Sequence, residues 1–244
     1  MSDNALVPAS FEQLPSTQIG GDELYTELAK GGDYLGRLQL FTKGRAINKE
    51  LIRPGHYGIP EGDDEVVDLG NSVNILPLAR RPKAIDMTDS EALVISYDMQ
   101  SSEFQRIQAK SAESDSHCQF GPSFMVYEQS QNRFLEFFCG NKSNRIEAKK
   151  LFPYLPLTQA AIDARAANGE NVTDLKPHGP IAVALKVKLV ENKRGSWHVP
   201  MVTVCAVPIV LPAMKVIARE IERFLTASNN GVEKVAEEKA PRAR

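Results

Sequence analysis

Ten consecutive residues, Ile181 to Val190, alternate with a period of two. Ile181, Val183, Leu185, Val187 and Leu189 fall on one side, and Ala182, Ala184, Lys186 and Lys188 on the other. Successive side chains of a strand point to opposite faces, whereas a helix repeats every 3.6 residues. The run therefore predicts a half-buried β-strand. The polar turn Glu191 to Ser196 leads into a second apolar run, Trp197 to Val207, and the two read as a hairpin.

The same punctuation recurs along the chain. Strands are expected over Tyr34 to Phe41, within Pro54 to Pro60, over Val66 to Leu69, Val73 to Ala79 and Ala92 to Tyr97. Phe124 to Tyr127 and Arg133 to Cys139 flank the polar Glu128 to Asn132, a further hairpin signal. Helical spacing marks Asp22 to Lys30, Glu103 to Glu113, Asn144 to Leu151 ahead of Pro153, and Thr158 to Ala167. A last amphipathic helix, Ala213 to Ala227, carries Val216, Ile217, Ile221, Phe224 and Leu225 on one stripe.

Short strands joined by local turns favour antiparallel pairing, and closure into a small barrel removes exposed sheet edges. The expected fold is thus β-rich α+β: an antiparallel OB-like barrel with peripheral helices and a C-terminal amphipathic helix. Residues 1–32 read as a lead-in segment, 33–228 as the barrel domain with helical insertions, and 229–244 as a flexible polar tail.

Composition narrows the function classes. The chain is 42% hydrophobic and 25% charged, which is globular rather than disordered. Its longest apolar-leaning run, Val199 to Val216, is broken by Pro200, Pro208 and Pro212, so no membrane helix is expected. The three cysteines, Cys118, Cys139 and Cys205, are odd in number and far apart. That pattern fits free thiols in a reducing compartment. No basic start followed by an apolar segment marks a secretory signal. A cytoplasmic location is expected, in the cell itself or in an infected host. The net charge of −2 advertises no polyanion partner over the whole molecule.

Catalytic motifs are missing. There is no GxxxxGK[ST], no GxGxxG after a strand and no GxSxG. His117, Cys118 and Cys139 supply one adjacent pair, short of the doubled spacing of a zinc site, and no cofactor is implied. The carboxylates Asp63, Asp64, Glu65 and Asp68 read as a solvated acidic loop, although a two-metal nuclease would also use such groups.

Cations interleaved with rings give the clearest chemical pattern. Arg37 and Phe41 share the less apolar face of the first strand, with Lys43 and Arg45 just beyond. Arg80, Arg81 and Lys83 follow another strand. Lys186 and Lys188 project from one face of the final hairpin, Lys193 and Arg194 sit at its tip, and Trp197 follows. Tyr57 lies between Gly55 and Gly58. Single strands of nucleic acid are gripped by cations that track phosphates and by rings that stack bases. The candidate contacts are Arg37, Phe41, Lys43, Arg45, Tyr57, Arg80, Arg81, Lys186, Lys188, Lys193, Arg194 and Trp197. Outer-face lysines also serve solubility, a lone tryptophan also serves a core, and a turn tyrosine also packs on a barrel, so Lys186, Lys188, Trp197 and Tyr57 admit both roles. Asn141, Lys142, Asn144, Arg145, Lys149 and Lys150 form a further basic stretch, which reads as a solvated helix face.

The order of elements from Tyr34 to Val210, with the basic hairpin at Lys186 to Trp197, resembles the OB-fold single-stranded DNA-binding proteins encoded by bacteriophages. The resemblance is architectural. It implies a non-catalytic, sequence-tolerant single-stranded DNA binder acting in replication or recombination, with proteins of those processes as partners and self-association into a homo-oligomer. Many such proteins end in an acidic tail, whereas this chain ends Lys239-Ala240-Pro241-Arg242-Ala243-Arg244. A structural or adaptor protein working through protein contacts is the rival expectation.

Overall fold

The computed structural model describes residues 35–62, 64–88, 92–113, 116–192, 195–205, 209, 212–229 and 233–236. The helix expected at Asp22 to Lys30 lies outside them, as do Asp63, Lys193, Arg194 and residues 237–244.

The chain forms an α+β, strand-rich fold. Its elements run β1 (Gly36–Phe41), the single turn α1 (Arg45–Asn48), β2 (His56–Pro60), β3 (Val66–Gly70), β4 (Ser72–Asp86), β5 (Ala92–Ser96), α2 (Ser102–Lys110), β6 (Cys118–Glu128) and β7 (Arg133–Phe138). Then come α3 (Lys142–Ala148) with a 3-10 turn, Lys149–Tyr154, α4 (Gln159–Ala167), β8 (Val183–Asn192), β9 (Gly195–Val204), α5 (Met214–Asn229) and β10 (Glu233–Ala236). The last strand lies within the expected polar tail and pairs with β5.

The strands join in the order β10-β5-β4-β6-β7-β1-β2-β3, with β8 added to β4 and β9 to β8. This corrects the expected barrel twice. The pairing is mixed, because β1 runs parallel to β7. The path is also open, because no ladder links its two ends. The sheet nevertheless bends around one core. Leu38, Tyr57 and Ile59 from β1 and β2 share it with Val183 and Leu185 from β8 and with Phe124, Val126, Leu135 and Phe137. Burying apolar area on both wings of a sheet gives them reason to approach without ladder bonds. One bond spans the gap, from the Tyr57 hydroxyl to the Lys186 carbonyl at 3.1 Å.

β4 organises the rest. One edge pairs with β6 from Ile75 to Asp86. The other edge takes β8 at Ser72 to Ile75 and β5 at Ala84 to Asp86. Among the described residues, no strand pairs with 76–83 on that second edge, and both Pro77 and Pro82 fall there. Proline lacks an N–H, so a stretch open on one edge is where a long strand tolerates it. Helix α5 packs over this region, its Ile217 and Phe224 buried against Leu76, Leu78, Met125 and Tyr127.

Candidate nucleic-acid interface

Strand parity decides which side chains can meet. Val73 and Ile75 of β4 lie with Phe124 and Val126 in the main core, while Leu76 and Leu78 lie with Met125 and Tyr127 on the opposite face. The register with β6 then shifts between Pro77 and Ala79. An irregularity of this kind inverts the alternation beyond it. Arg80 accordingly pairs with Phe124 and lands on the main-core face, which strict alternation would have denied it.

At this point the core ends and a groove begins. Its floor is β4 and β6, through Arg80, Pro82, Phe120, Gly121 and Pro122. One wall comes from Phe104 and Gln108 of α2, with Met99 before it, and the other from Lys142, Arg145, Ile146, Lys149 and Phe152. Its volume is about 690 Å³. No carboxylate lines it among the described residues.

Two arginine–phenylalanine stacks mark the groove. The Arg80 guanidinium lies 4.1 Å from the centre of the Phe152 ring, and that of Arg145 lies 4.1 Å from the centre of Phe120. Local structure fixes both. Arg145 donates from Nη1 to the carbonyls of Phe120 and Gly140, at 2.8 and 2.7 Å. The helix that carries it starts at a set place because the Asn141 side chain accepts from the Asn144 amide at 2.8 Å. Burial pulls the pKa of both guanidinium groups below its ordinary value, and neighbouring Arg165 adds to the effect at Arg80. Arginine stays charged even so. Among the described residues, Arg80, Lys142, Arg145 and Lys149 form no ion pair. Two partly desolvated guanidinium groups flanked by the exposed Lys142 and Lys149, with no carboxylate partner, are an arrangement that an anion improves.

The side chains expected to bind do not converge. Arg80 is in the groove. Arg81, its neighbour, also borders the groove, but its guanidinium is held on the other face and the residue is 9% exposed. It donates to the Phe224 carbonyl at 2.8 Å and to Glu136 at 3.0 Å, and its guanidinium lies over the Tyr97 and Phe224 rings. Lys83 and Ser123 donate to the same carboxylate, at 2.5 and 2.7 Å. Burial alone would raise the Glu136 pKa, but Lys83 and then Arg81 bring it down to about 2. Burial lowers that of Lys83, with Glu136 opposing. Arg81 is thus part of a buried ionic cluster rather than a phosphate contact.

Tyr57 and Phe41 require the same correction. They are 0% and 5% exposed, so neither ring can stack a base. The missing side chain at Gly58 is filled by Ile52 and Val66, which explains why a glycine-flanked tyrosine is a core residue here. Arg37, Lys43, Lys186 and Lys188 are exposed. Arg37 pairs with Glu136 in register, and Lys186 and Lys188 alternate against Leu185, so all three sit on the face opposite Arg80. Trp197 is half-buried and pairs with Val190 on that opposite face. The backbone of Arg45 lies in α1.

Phe120, Phe152 and Arg165 escaped the sequence reading, and Lys142, Arg145 and Lys149 entered it only as a helix face. The available signal was the four-residue spacing of Arg145 and Lys149 after a Phe-rich hairpin. In the acidic loop Asp64 pairs with Lys49, and Asp68 meets His56 at 2.9 Å. No group of three His, Cys, Asp or Glu is placed to hold a metal among the described residues. In the same residues no helix is long and apolar enough to cross a membrane. No family model matches the chain, and no curated protein or solved structure does.

Proposed function

We propose that the protein binds single-stranded nucleic acid in the groove between α2 and α3, without catalysis and without sequence readout. The observation that carries this reading is the pair of arginines stacked on Phe152 and Phe120 in a channel lined by Lys142 and Lys149 and by no carboxylate. A guanidinium resting on a ring keeps its second face for a base, and its edges remain hydrogen-bond donors toward phosphate. The exposed Met99 and Ile146 on the rim add apolar surface for base faces. We read the bent sheet, with its two wings on one core, as an open relative of an OB-like barrel. DNA replication or recombination, in a bacteriophage setting, is the process such a binder would serve.

The test is fluorescence anisotropy with a labelled oligo-dT strand at low salt. Wild-type protein should bind, and Lys142→Ala/Lys149→Ala should bind about tenfold more weakly, as expected when phosphate contacts are removed. No binding by the wild-type chain, or equal binding by the double variant, would count against the groove.

A further inference from the structure

The Arg80–Phe152 stack has a second side. Beyond it lies another compartment of about 690 Å³, at the stretch of β4 that carries no strand on its second edge. Leu78, Leu155, Leu157, Leu175, Ile221 and Leu225 make its apolar lining. Arg80, Arg165 and His178 are its charged or titratable residues, and no carboxylate lines it among the described residues. Arg80 and Phe152 line both compartments, so their stack is the wall the two share.

The walls are held in place. Leu157 and His178 exchange two backbone hydrogen bonds, at 2.9 and 3.0 Å, and the Ile181 amide donates to the Tyr154 carbonyl at 2.9 Å. Thr158 caps α4 by accepting from the Ala161 amide at 3.1 Å, which fixes the helix bearing Ala161 and Arg165. His178 Nδ1 lies 2.7 Å from the Gly179 carbonyl, so Nδ1 carries the proton, and Nε2 is an acceptor in the neutral ring. A pre-formed apolar pocket with a few polar groups is the usual form of a small-ligand site, and its size falls within the usual range of roughly 300–1,000 Å³.

We propose that this compartment takes one base turned out of the bound strand, with Arg80 and Arg165 holding the adjoining phosphate. The inference rests on the groove reading. Charge and shape argue for this occupant. Arg80 and Arg165 line the same compartment with no carboxylate beside them among the described residues, so an anion there would offset two like charges. A flat base fills apolar space, and its N–H groups can meet an imidazole acceptor. The shared chemistry is a nucleotide, supplied by the strand or free in solution.

The experiment uses an oligomer of deoxy-ethenoadenosine carrying an end dye. Anisotropy of the dye reports strand binding, and acrylamide quenching of the ethenoadenine emission reports bases sealed from solvent. With wild-type protein a fraction of the emission should resist quenching. Ala161→Phe, which fills the pocket, and Arg165→Ala, at an exposed helix position, should both abolish that fraction. Both should still raise the anisotropy, with affinity lowered roughly tenfold, as for loss of one stacked base. A shielded fraction that persists in both variants, or that is missing from a wild-type complex seen by anisotropy, overturns the pocket and leaves the groove standing. No anisotropy change with wild-type protein removes the groove reading and this inference together. Shielding of free ethenoadenosine monophosphate but not of the oligomer would overturn the strand assignment in favour of a free nucleotide.

Discussion

Glu136 shows how much one side chain decides. It is buried with two cations on it, and both its oxygens are engaged. Removing one partner from a buried ion cluster costs about 3–5 kcal/mol, because the remaining charge is left without compensation. Glu136→Gln should therefore lower the melting temperature by roughly 6–20 °C, given about 2–4 °C per kcal/mol for a chain of this size. The pH dependence has a definite sign. The folded-state pKa of about 2 lies below the ordinary 4.5. The stability this group contributes is present above the ordinary value and disappears as pH falls toward the lower one. Thermal melts of the wild-type chain between pH 5 and 2 should show that loss, and Glu136→Gln should flatten it. An unchanged acid limb in the variant would mean that Glu136 is not the group responsible.

At the scale of elements, close contact between β6 and β7 shapes the groove floor. A Cβ at Gly121 would run into the Cys139 carbonyl and press on Arg145 at 3.0 Å. Gly121→Ala should destabilise the fold by about 1–3 kcal/mol, the usual cost of overpacking, and should displace Arg145 from Phe120. Chemical denaturation together with the oligo-dT titration would read both, and unaltered stability would contradict the contact. The β8–β9 hairpin was legible from Lys186 and Leu185 alternating along one run, because a period of two leaves its mark on every residue. So was the stripe of α5. The length of β4 was not legible, because Pro77, Arg80, Arg81 and Pro82 resemble the end of a strand. Only the open second edge explains them, and an edge is a property of the sheet, not of the strand's own residues. The fate of Arg80 was hidden for the same reason: a shift near Pro77 reverses the parity that strict alternation would set. For Tyr57 the glycine neighbours left an exposed ring and a packed one equally open, because the sequence does not show that Ile52 and Val66 occupy the space beside Gly58.

For the molecule as a whole, the cations divide between two faces, and the proposed function rests on the face that carries Arg80. The chain's one tryptophan, Trp197, lies with the hairpin lysines on the face away from Arg80. Its emission should stay essentially constant while oligo-dT saturates the groove, and strong quenching would return the hairpin to the binding site. The near-neutral net charge fits such a division, since a local channel free of carboxylates needs no basic surface elsewhere. The salt dependence of affinity distinguishes the faces most directly. Each phosphate neutralised on a single strand contributes about 0.7 to the slope of log affinity against log salt. For Arg80→Ala/Lys142→Ala/Lys149→Ala the slope should be shallower than wild type by about 2, while Lys186→Ala/Lys188→Ala keeps the wild-type slope. A wild-type slope in the groove triple variant, with a flattened one in the hairpin double variant, would contradict the assignment.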